Sequence, residues 1–451
     1  MEHAVTLMEM LGAREARAMR QQQLLEEYQL PVISFCLNIA GPVKNSPVLR
    51  RAFREGLERL ECALLAGRLD IVHQEEVDQP TGCEALWVVR GDGRAVKELC
   101  VELEDRDALG RLFDLDVLDP ASGKWDRTQL GQPPRKCLVC GKEGKGCASR
   151  RLHTVEELQS ATQAILEDYF AKKDQQTLGA LAAKALLYEV CTTPKPGLVD
   201  RKNNGSHRDM DVFTFLDSTA ALLPYFEEAV RLGIETRNLP PQETFRRLRQ
   251  AGAAGERAMF RATGGVNTHK GAVFTLGTVC AAAGRLWTAE GFSKDLDAAL
   301  ALCGEMSAQA VQEDFEAIRR EGAHTTGQRI YLEHGLEGIR GELSRGLPAV
   351  AQIGLPTLRR CLEAGDSMEQ AGVQVLLALM AQVVDTNLIA RGGLEGQQWA
   401  MEQAKNLTQD RAVSQEEAEK LDRALIERNL SPGGCADLLA ITYFLEFLSR
   451  M

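Results

Sequence analysis

The hydrophobic pattern of this chain changes near residue 171, and no other sequence feature limits its fold as strongly. Beyond residue 176, nearly every long segment is rich in Ala and Leu, with apolar residues three or four positions apart. This spacing is typical of amphipathic helices, and the alternation typical of strands is nearly absent there. The pattern predicts helical segments at 177–191, 211–233, 242–261, 271–288, 295–320, 356–383, 399–428 and 435–449. Because such apolar stripes are buried by packing helix on helix, we expect an all-α domain over 177–451.

The first 172 residues mix strand-like and helix-like patterns. Stretches rich in β-branched and other apolar residues predict strands at 32–39, 68–77, 84–91 and 95–104. Between the first two of these strands, apolar residues from Leu49 onward recur at helical spacing and predict a helix. Much later in the chain, Thr154 with Glu157 forms a capping-box pattern before a second predicted helix. The fold class we expect is an α+β domain over 1–172 followed by a larger all-α domain, with the polar hexapeptide AKKDQQ (171–176) as a linker.

Charge and composition exclude several classes of function. The 53 Lys and Arg against 64 Asp and Glu give a net charge of −11, which argues against a general nucleic-acid or anionic-membrane binder. No stretch reaches the roughly 18 uninterrupted apolar residues of a membrane span. The first residues show no signal-peptide pattern, and a chain of 451 residues needs no disulfide to hold it together. We expect a cytoplasmic protein with reduced cysteines and with no nucleic-acid or membrane partner.

Polar residues interrupt the helical half at Gly-rich or Pro-rich segments between predicted helices. These segments are PKPGLVDRKNNGSHRDMD, TGGVNTHKGAVF, VVDTNLIARGG and NLSPGGCADLLA. They contain the polar side chains His207, Asp209, Asp211, Asn267, His269, Lys270, Asp385, Arg391 and Asp437. Glycine lets backbone N–H groups approach phosphate oxygens, and carboxylate oxygens hold Mg²⁺ in company with phosphates. No segment matches the phosphate-loop pattern of nucleotide-binding proteins, so a polyphosphate site here would be assembled from several helix ends.

Each of these segments also has a purely structural interpretation. GSHRDMD (205–211) fits an ordinary solvated turn with a helix cap, and TGGVNTHKG fits a simple helix start with a solvated lysine. Asp437 fits an acid near a helix start, where the helix dipole favours negative charge. Asp385 follows the apolar run LLALMAQVV, and burying a carboxylate without a partner is costly, so this residue is harder to explain as structural.

In order and spacing, four motifs resemble the triphosphoribosyl-dephospho-CoA synthase family: PKPGLVDRKNNGSHRDMDVFTFLDS, TGGVNTHKGAVF, DTNLIARGG and LSPGGCADLLA. The resemblance runs from about residue 177 to the end and implies an all-helical enzyme. Such an enzyme joins the ribose of ATP to the 2′-hydroxyl of dephospho-CoA, releases adenine and retains the triphosphate. On that chemistry, we assign to Mg²⁺ binding and base catalysis Asp209, Asp211 and Asp385. We assign to substrate phosphates His207, Asn267, His269, Lys270 and Arg391.

Two motifs stand out in the first half. In GRLFDLDVLD (110–119), Asp114 and Asp116 share one face if the chain is extended, which suits a Mg²⁺ pair or, equally, the solvated edge of a strand. RKCLVCGKEGKGCASRRLH (135–153) has the spacing C-x2-C-x6-C-x5-H and is rich in Lys and Arg. That spacing resembles a structural Zn²⁺ site formed by Cys137, Cys140, Cys147 and His153. The alternative is a reduced Cys-rich loop in a nucleotide-binding domain.

Together these two motifs resemble the apo-citrate lyase phosphoribosyl-dephospho-CoA transferase family over about residues 10–170. The resemblance implies transfer of the triphosphoribosyl product, as a phosphodiester, to a serine of apo citrate lyase acyl carrier protein, with release of pyrophosphate. It implies metal binding by Asp114 and Asp116. It implies phosphate binding by Arg135, Arg150, Arg151 and His153. The whole chain therefore resembles a bifunctional fusion in which the second half makes the substrate of the first.

Two other functions are compatible with parts of the sequence. The same synthase chemistry serves malonate decarboxylase, but the amino-terminal half favours citrate lyase. A non-catalytic scaffold that binds acyl carrier protein or nucleotides is the other alternative. The acidic and Gly-rich segments at several helix ends argue against it, because a scaffold needs no metal-binding set inside a helical bundle. Binding without turnover would favour the scaffold.

Overall fold

Two units of different architecture follow one another along the chain. The structure is a computed structural model, and it describes residues 3–408 and 412–451. Contacts between residues divide the chain into Met1–Ala171 and Lys172–Met451. The first unit combines a sheet with helices and the second is helical throughout its described residues, so the predicted fold class is confirmed.

The amino-terminal unit is built around an antiparallel sheet of five strands within its described residues. The strands are β1 (Val32–Leu37), β2 (Asp70–Gln79), β3 (Gly82–Arg90), β4 (Phe113–Asp119) and β5 (Gly123–Trp125). Their spatial order is β2-β3-β1-β4-β5, so β1 lies at the centre between β3 and β4. Aromatic residues cover one face: Phe35 of β1 stacks on Phe53, with ring centroids 4.9 Å apart, and meets Phe113 edge to face.

The helices that precede the unit boundary include one that the sequence pattern predicted as a strand. In chain order they are α1 (Leu7–Tyr28), α2 (Pro47–Ala66), α3 (Gly93–Asp105) and α4 (Gly144–Ser149). The predicted strand at 95–104 is wrong, because this segment forms most of α3. Asp92 caps the helix by accepting a hydrogen bond from the Ala95 N–H, 3.0 Å away. Val96 and Cys100, four positions apart, are both fully buried, as a helical stripe requires.

A long helix, α5 (Val155–Cys191), begins before the unit boundary and continues through residues 171–176. The segment AKKDQQ, predicted as a linker, is therefore helical, and the boundary between the units falls between its first two residues, Ala171 and Lys172. Ala, Lys and Gln are good helix formers, and a polar composition does not end a helix where Gly and Pro are absent. The predicted capping box is confirmed: the Thr154 N–H donates to Glu157 Oε2 at 2.9 Å, and the Glu157 N–H donates to Thr154 Oγ1 at 3.2 Å.

The second unit consists, over its described residues, of helices packed on helices. After α5 they are α6 (Val212–Glu235), α7 (Pro241–Ala262), α8 (Lys270–Arg285), α9 (Leu296–Glu321), α10 (Thr326–His334), α11 (Gly338–Ser344), α12 (Leu355–Glu363), α13 (Met368–Met380), α14 (Thr386–Thr408), α15 (Gln415–Glu427) and α16 (Gly433–Ser449). The central helices are α8 and α16, because both have long runs of consecutive buried residues. A helix buried on all sides is apolar along most of its length, and both segments are, apart from Lys270 and Arg285 at the ends of α8 and from Asp437 and Glu446 in α16.

Two segments predicted as single helices are each divided in two. The segment 356–383 forms most of α12 and α13, separated at Gly365, whose φ of +94° suits only glycine without strain. The segment 399–428 spans the end of α14 and all of α15, and residues 409–411 within it lie outside the described part of the chain. A further break occurs inside α14 at Gly393, where φ is +65°. Over residues 3–408 and 412–451, no helix combines the length and apolar character needed to cross a membrane.

Candidate active sites

A cavity of about 610 Å³ lies in the helical unit where several helix ends meet. The segment 194–211 and the first turns of α8, α14 and α16 contribute to its wall. Its polar lining includes His207, Asn267, His269, Lys270, Asp385, Arg391 and Asp437. Four polar segments that are far apart in the sequence thus meet at one cavity.

Two of the proposed magnesium ligands do not line this cavity. Asp211 is the N-cap of α6, where its Oδ1 accepts hydrogen bonds from the N–H of Thr214 at 2.9 Å and from its hydroxyl at 2.8 Å. These hydrogen bonds lower the pKa of Asp211. Asp209 is exposed, and its charge acts on both His207 and Arg391. A role for these two aspartates in magnesium binding stays a prediction.

Asp385, in contrast, is buried at the cavity wall between α14 and α16. Its Oδ1 accepts the N–H of Asn387 at 2.8 Å, and its Oδ2 accepts the N–H of Cys435 at 2.9 Å. Gly434 makes room for the carboxylate, since a Cβ at that position would lie 3.1 Å from its oxygens. Burial raises the pKa of Asp385, and the backbone N–H groups oppose that shift. The Gly434 N–H and the Cys435 thiol also act on this carboxylate, so several donors stabilise its negative charge at the cavity wall.

His269 brings an unsatisfied nitrogen to the cavity wall. Its Nδ1 lies 2.7 Å from Ser218 Oγ, which itself accepts a hydrogen bond from Thr268 Oγ1 at 2.7 Å. Since Ser218 Oγ already accepts from Thr268, we assign its hydroxyl as the donor to Nδ1, which places the proton of the neutral ring on Nε2. Nε2 is buried and has no hydrogen-bond partner among the described residues. Such a donor costs free energy until a ligand atom accepts from it.

His207 and Arg391 hold one another in place at another part of the wall. Arg391 donates to His207 Nδ1 at 3.2 Å and to Ser206 O at 2.8 Å. Because Nδ1 accepts from Arg391, the proton of the neutral ring lies on Nε2, which donates to Ser431 Oγ at 2.9 Å. The guanidinium is thus oriented by the loop and keeps further N–H groups for an anion.

Lys270 and Asn267 are exposed at the edge of the cavity. Lys270 begins α8, and its Nζ lies 3.2 Å from Glu256 Oε2 with half of its side chain exposed. An exposed ion pair of this kind adds little stability, so Lys270 can exchange it for a substrate anion at little cost. Phosphate binding by these two residues stays a prediction.

Sequence reasoning missed a buried ion pair in the same wall. Lys195 Nζ lies 2.5 Å from Glu189 Oε1, and both side chains are almost fully buried. Asp437, which the sequence left as a possible helix-start acid, lines the cavity near Glu189 and Asp385. Burial, followed by the charges of these two carboxylates, raises the pKa of Asp437 well above its usual value. The signal was present in the sequence, because Glu189 interrupts the apolar run ALLYEVC much as Asp385 follows another.

The buried His269 and the half-buried His207 predict a loss of stability at acid pH. Burial, followed by the charge of Lys195, lowers the pKa of His269 to about 3, and burial followed by Arg391 lowers the pKa of His207 to about 4. Below pH of about 6.5 the unfolded chain binds protons at these positions and the folded chain does not. Stability is therefore complete above that pH and falls toward the folded pKa values, by on the order of 1 kcal/mol per pH unit for His269 and by less for His207, which solvent screens.

His269→Gln removes one of these groups, so it should flatten the dependence of melting temperature on pH between about 6.5 and 4.5. His324→Gln is the matched control, since His324 is exposed in the same unit. The control should melt with the slope of the parent protein. Equal slopes for all three proteins would contradict the protonation scheme.

A larger cavity, of about 1240 Å³, lies in the amino-terminal unit beside β4 and β5. Asp114 and Asp116 alternate with buried residues along β4, and both line this cavity from one face of the sheet. Asp116 Oδ2 lies 2.6 Å from Lys124 Nζ on β5, and Asp114 Oδ1 lies 3.7 Å from Arg135 Nη1. Two carboxylates are thus set among cations, an arrangement that suits a metal-bound polyphosphate.

Behind these aspartates, α3 contributes two buried charged residues that the sequence did not suggest. Lys97 Nζ donates to Leu115 O at 2.6 Å, and Glu104 Oε1 accepts the Leu115 N–H at 3.0 Å. Burial raises the pKa of Glu104, and the charge of Arg135 opposes that shift. Both side chains line the cavity. They hold the middle of the strand that carries the aspartate pair.

The basic tract that follows β5 contributes unequally to this cavity. Arg135, Arg151 and His153 line it, whereas Arg150 is exposed and lies outside the lining. Arg135 is anchored because its guanidinium donates to Phe113 O. The ligand atoms of the predicted zinc residues all lie within 4.8 Å of one another, and these residues are Cys137, Cys140, Cys147 and His153.

Each unit therefore has its own cavity, in which carboxylates meet donors and cations suited to phosphate. A chain with two such sites is a bifunctional transferase, and its relatives bear this out. Residues 175–451 match the family described as ATP:dephospho-CoA triphosphoribosyl transferase, and residues 5–169 match Apo-citrate lyase phosphoribosyl-dephospho-CoA transferase. The chain belongs to these two families, in fused form, and acts in the formation of the citrate lyase prosthetic group. Both resemblances read from the sequence are confirmed.

Similar proteins include fusions of the same extent. The chain is 37% identical to Protein CitXG of Haemophilus influenzae over 98% of this chain and 96% of that protein. It is 36% identical to Protein CitXG of Leuconostoc mesenteroides subsp. cremoris, over 98% and 97% respectively. The helical part alone is similar to the 2-(5''-triphosphoribosyl)-3'-dephosphocoenzyme-A synthase of Pectobacterium atrosepticum, with 41% identity over 63% of this chain and 94% of that protein.

Proposed function

We propose that the helical unit joins ATP to dephospho-CoA and that the amino-terminal unit transfers the product to a carrier protein. In the first reaction, the 2′-hydroxyl of dephospho-CoA attacks C1 of the ATP ribose, the bond from C1 to adenine breaks, and the triphosphate is retained. In the second, a serine hydroxyl of apo citrate lyase acyl carrier protein attacks the α-phosphorus of that triphosphate. A phosphodiester forms and pyrophosphate leaves.

The observation that carries this proposal is the convergence of carboxylates and a buried unpaired donor on one cavity of the helical unit. Displacing adenine from C1 passes through an oxocarbenium-like state, which nearby carboxylates stabilise. Asp437 has a raised pKa, so it suits donation of a proton to the departing adenine. Asp385 suits the opposite task, acceptance of the proton of the attacking hydroxyl or binding of the metal. The Nε2–H of His269 is available to a phosphate or ribose oxygen.

Magnesium fits the donors of both cavities. Asp385 and Asp437 line one cavity, and Asp114 and Asp116 line the other. Mg²⁺ is usually bound by one or two carboxylates together with waters and substrate phosphates, which matches these donor sets. When bound, the ion neutralises part of the charge of the triphosphate.

In the amino-terminal unit, cations surround the aspartate pair. Lys124, Arg135 and Arg151 line the same cavity as these carboxylates. Phosphoryl transfer depends mainly on positioning and on neutralising the charge of the leaving group. Pyrophosphate carries that charge here, so the basic lining supports the second reaction.

Full-length protein mixed with ATP, dephospho-CoA, Mg²⁺ and the apo carrier protein should release adenine and add the phosphoribosyl-dephospho-CoA mass to one carrier serine. Chromatography measures adenine, and mass spectrometry measures the carrier. Leaving out dephospho-CoA is the control and should abolish both signals. Adenine release without carrier modification would refute the second step, and absence of both products would refute the proposal. Preferential modification of the malonate decarboxylase carrier protein would favour that pathway.

A further inference from the structure

Three thiols and an imidazole meet beside the amino-terminal cavity. We infer that a structural Zn²⁺ ion is bound there by Cys137, Cys140, Cys147 and His153, the Cys₃His cluster. With Zn–S bonds of about 2.3 Å and a Zn–N bond of about 2.0 Å, tetrahedral ligand atoms lie about 3.5 to 3.8 Å apart. The Sγ atoms of Cys140 and Cys147 are 3.4 Å apart, and no ligand atom of the cluster is more than 4.8 Å from another. All three thiols are free, so no disulfide competes.

The local backbone brings these ligands together from three elements. The Gly141 N–H donates to Cys137 O at 3.1 Å, closing a tight turn around the first two cysteines. Gly141 has a φ of +69°, which favours glycine directly after Cys140. Cys147 lies on α4 and His153 lies just before α5. One ion would therefore connect the turn, α4 and the start of α5.

His153 supplies independent support for a ligand at this place. Its Nε2 is buried and has no hydrogen-bond partner among the described residues. Its other ring nitrogen, Nδ1, lies 3.6 Å from Glu157 Oε2. Zinc-binding histidines usually direct the nitrogen that does not bind the metal toward a carboxylate, which orients the ring. Nε2 is therefore the expected zinc ligand, with Glu157 as the residue that orients it.

The tract around the cluster has little apolar packing to hold it. Val139 and Leu152 are 39% and 54% exposed, although they are among its few large apolar side chains. Small segments without a core commonly depend on a bound metal for their fold. Four protein ligands complete a tetrahedral zinc site and leave no open position, so the ion would be structural and not catalytic. It would hold Arg135 and Arg151 at the cavity.

Metal analysis of the purified full-length protein should find about one zinc per chain after dialysis against a chelating resin. Cys140→Ser should reduce that content at least tenfold, because it removes one ligand whose side chain is exposed and does not contribute to a core. The matched control is Cys62→Ser, an exposed free cysteine on α2, which should keep the zinc of the parent protein. Circular dichroism checks that both variants remain folded.

Cobalt provides a second measurement that does not depend on a variant. Protein stripped of metal and titrated with Co²⁺ should develop thiolate-to-cobalt charge-transfer bands and the visible bands of a tetrahedral ion. Added Zn²⁺ should displace the Co²⁺ and remove these bands. Stripping should also expose the basic tract 135–153 to trypsin. Absence of zinc in the parent protein together with absence of these cobalt bands would overturn the inference. Iron in place of zinc, or full zinc content in Cys140→Ser, would overturn it as well.

Discussion

Asp437→Asn is expected to slow adenine release from ATP and dephospho-CoA by about 10²- to 10⁴-fold, the usual contribution of a positioned proton donor. The substitution preserves the volume of the side chain and removes only its ability to exchange a proton. The site tolerates little else, since a Cβ added at Gly271 would lie 1.9 Å from Asp437 Oδ2. The rate is measured on the full-length protein by chromatography of adenine.

Stability separates this effect from misfolding. Because burial raises the pKa of Asp437, its carboxyl group opposes folding at every pH above the unfolded pKa of about 3.9. Asp437→Asn should therefore melt at pH 7 no lower than the parent protein, and the difference should vanish below pH of about 4.

The matched control for this variant is Asp297→Asn, since Asp297 is an exposed acid in the first turn of α9. It should release adenine at the rate of the parent protein. A full rate in Asp437→Asn itself would remove this residue from the mechanism and would return it to the structural role of a helix-start acid.

Asp116→Asn is expected to lower the rate of carrier-protein modification at least about 100-fold, while adenine release continues at its usual rate. Asp116 lines the amino-terminal cavity, and the loss of one carboxylate from a metal-binding pair removes several kcal/mol of transition-state stabilisation. The ion pair with Lys124 is partly exposed, so its loss should hardly change the melting temperature. Mass spectrometry of the carrier and chromatography of adenine are run on the same reaction.

Glu76→Gln provides the comparison for Asp116→Asn. Glu76 is an exposed carboxylate on β2, away from the cavity lining. Its substitution should leave both products unchanged. Simultaneous loss of adenine release and carrier modification in Asp116→Asn would contradict the division of the two reactions between the two units.

Local sequence patterns predicted most of the secondary structure correctly. They failed where the apolar residues of a short segment fit both the two-residue period of a strand and the 3.6-residue period of a helix. The strands β1, β2 and β3 overlap the predicted segments, because β-branched runs between turn residues rarely form anything else. In the segment 95–104, apolar residues both alternate with polar ones and recur at helical spacing. This segment forms a helix, which Asp92 caps at its start. AKKDQQ is polar without being a helix breaker, so its composition did not show that it lies within a helix.

The residues of the candidate sites also fall into those that sequence motifs suggested and those that only the tertiary structure revealed. Motif spacing pointed to Asp385 and His269, and both line the cavity. An isolated carboxylate after an apolar run, such as Asp385, needs a partner wherever it lies. Motif spacing could not reveal that Asp211 caps a helix while Glu189 and Asp437 reach the cavity. Those outcomes depend on which helix ends become neighbours.

By itself, the sequence determined the two fold classes, the family of each half and the Cys-Cys-Cys-His spacing, since each depends on residue identity and short-range periodicity. Only the tertiary structure decided which carboxylates share a cavity, which histidine nitrogen is left without a partner, and that Glu157 lies beside His153. The physical reason is that cavities and buried hydrogen bonds arise where segments distant in sequence pack together. Burial then changes the chemistry of a side chain in ways that its neighbours in the sequence do not reveal.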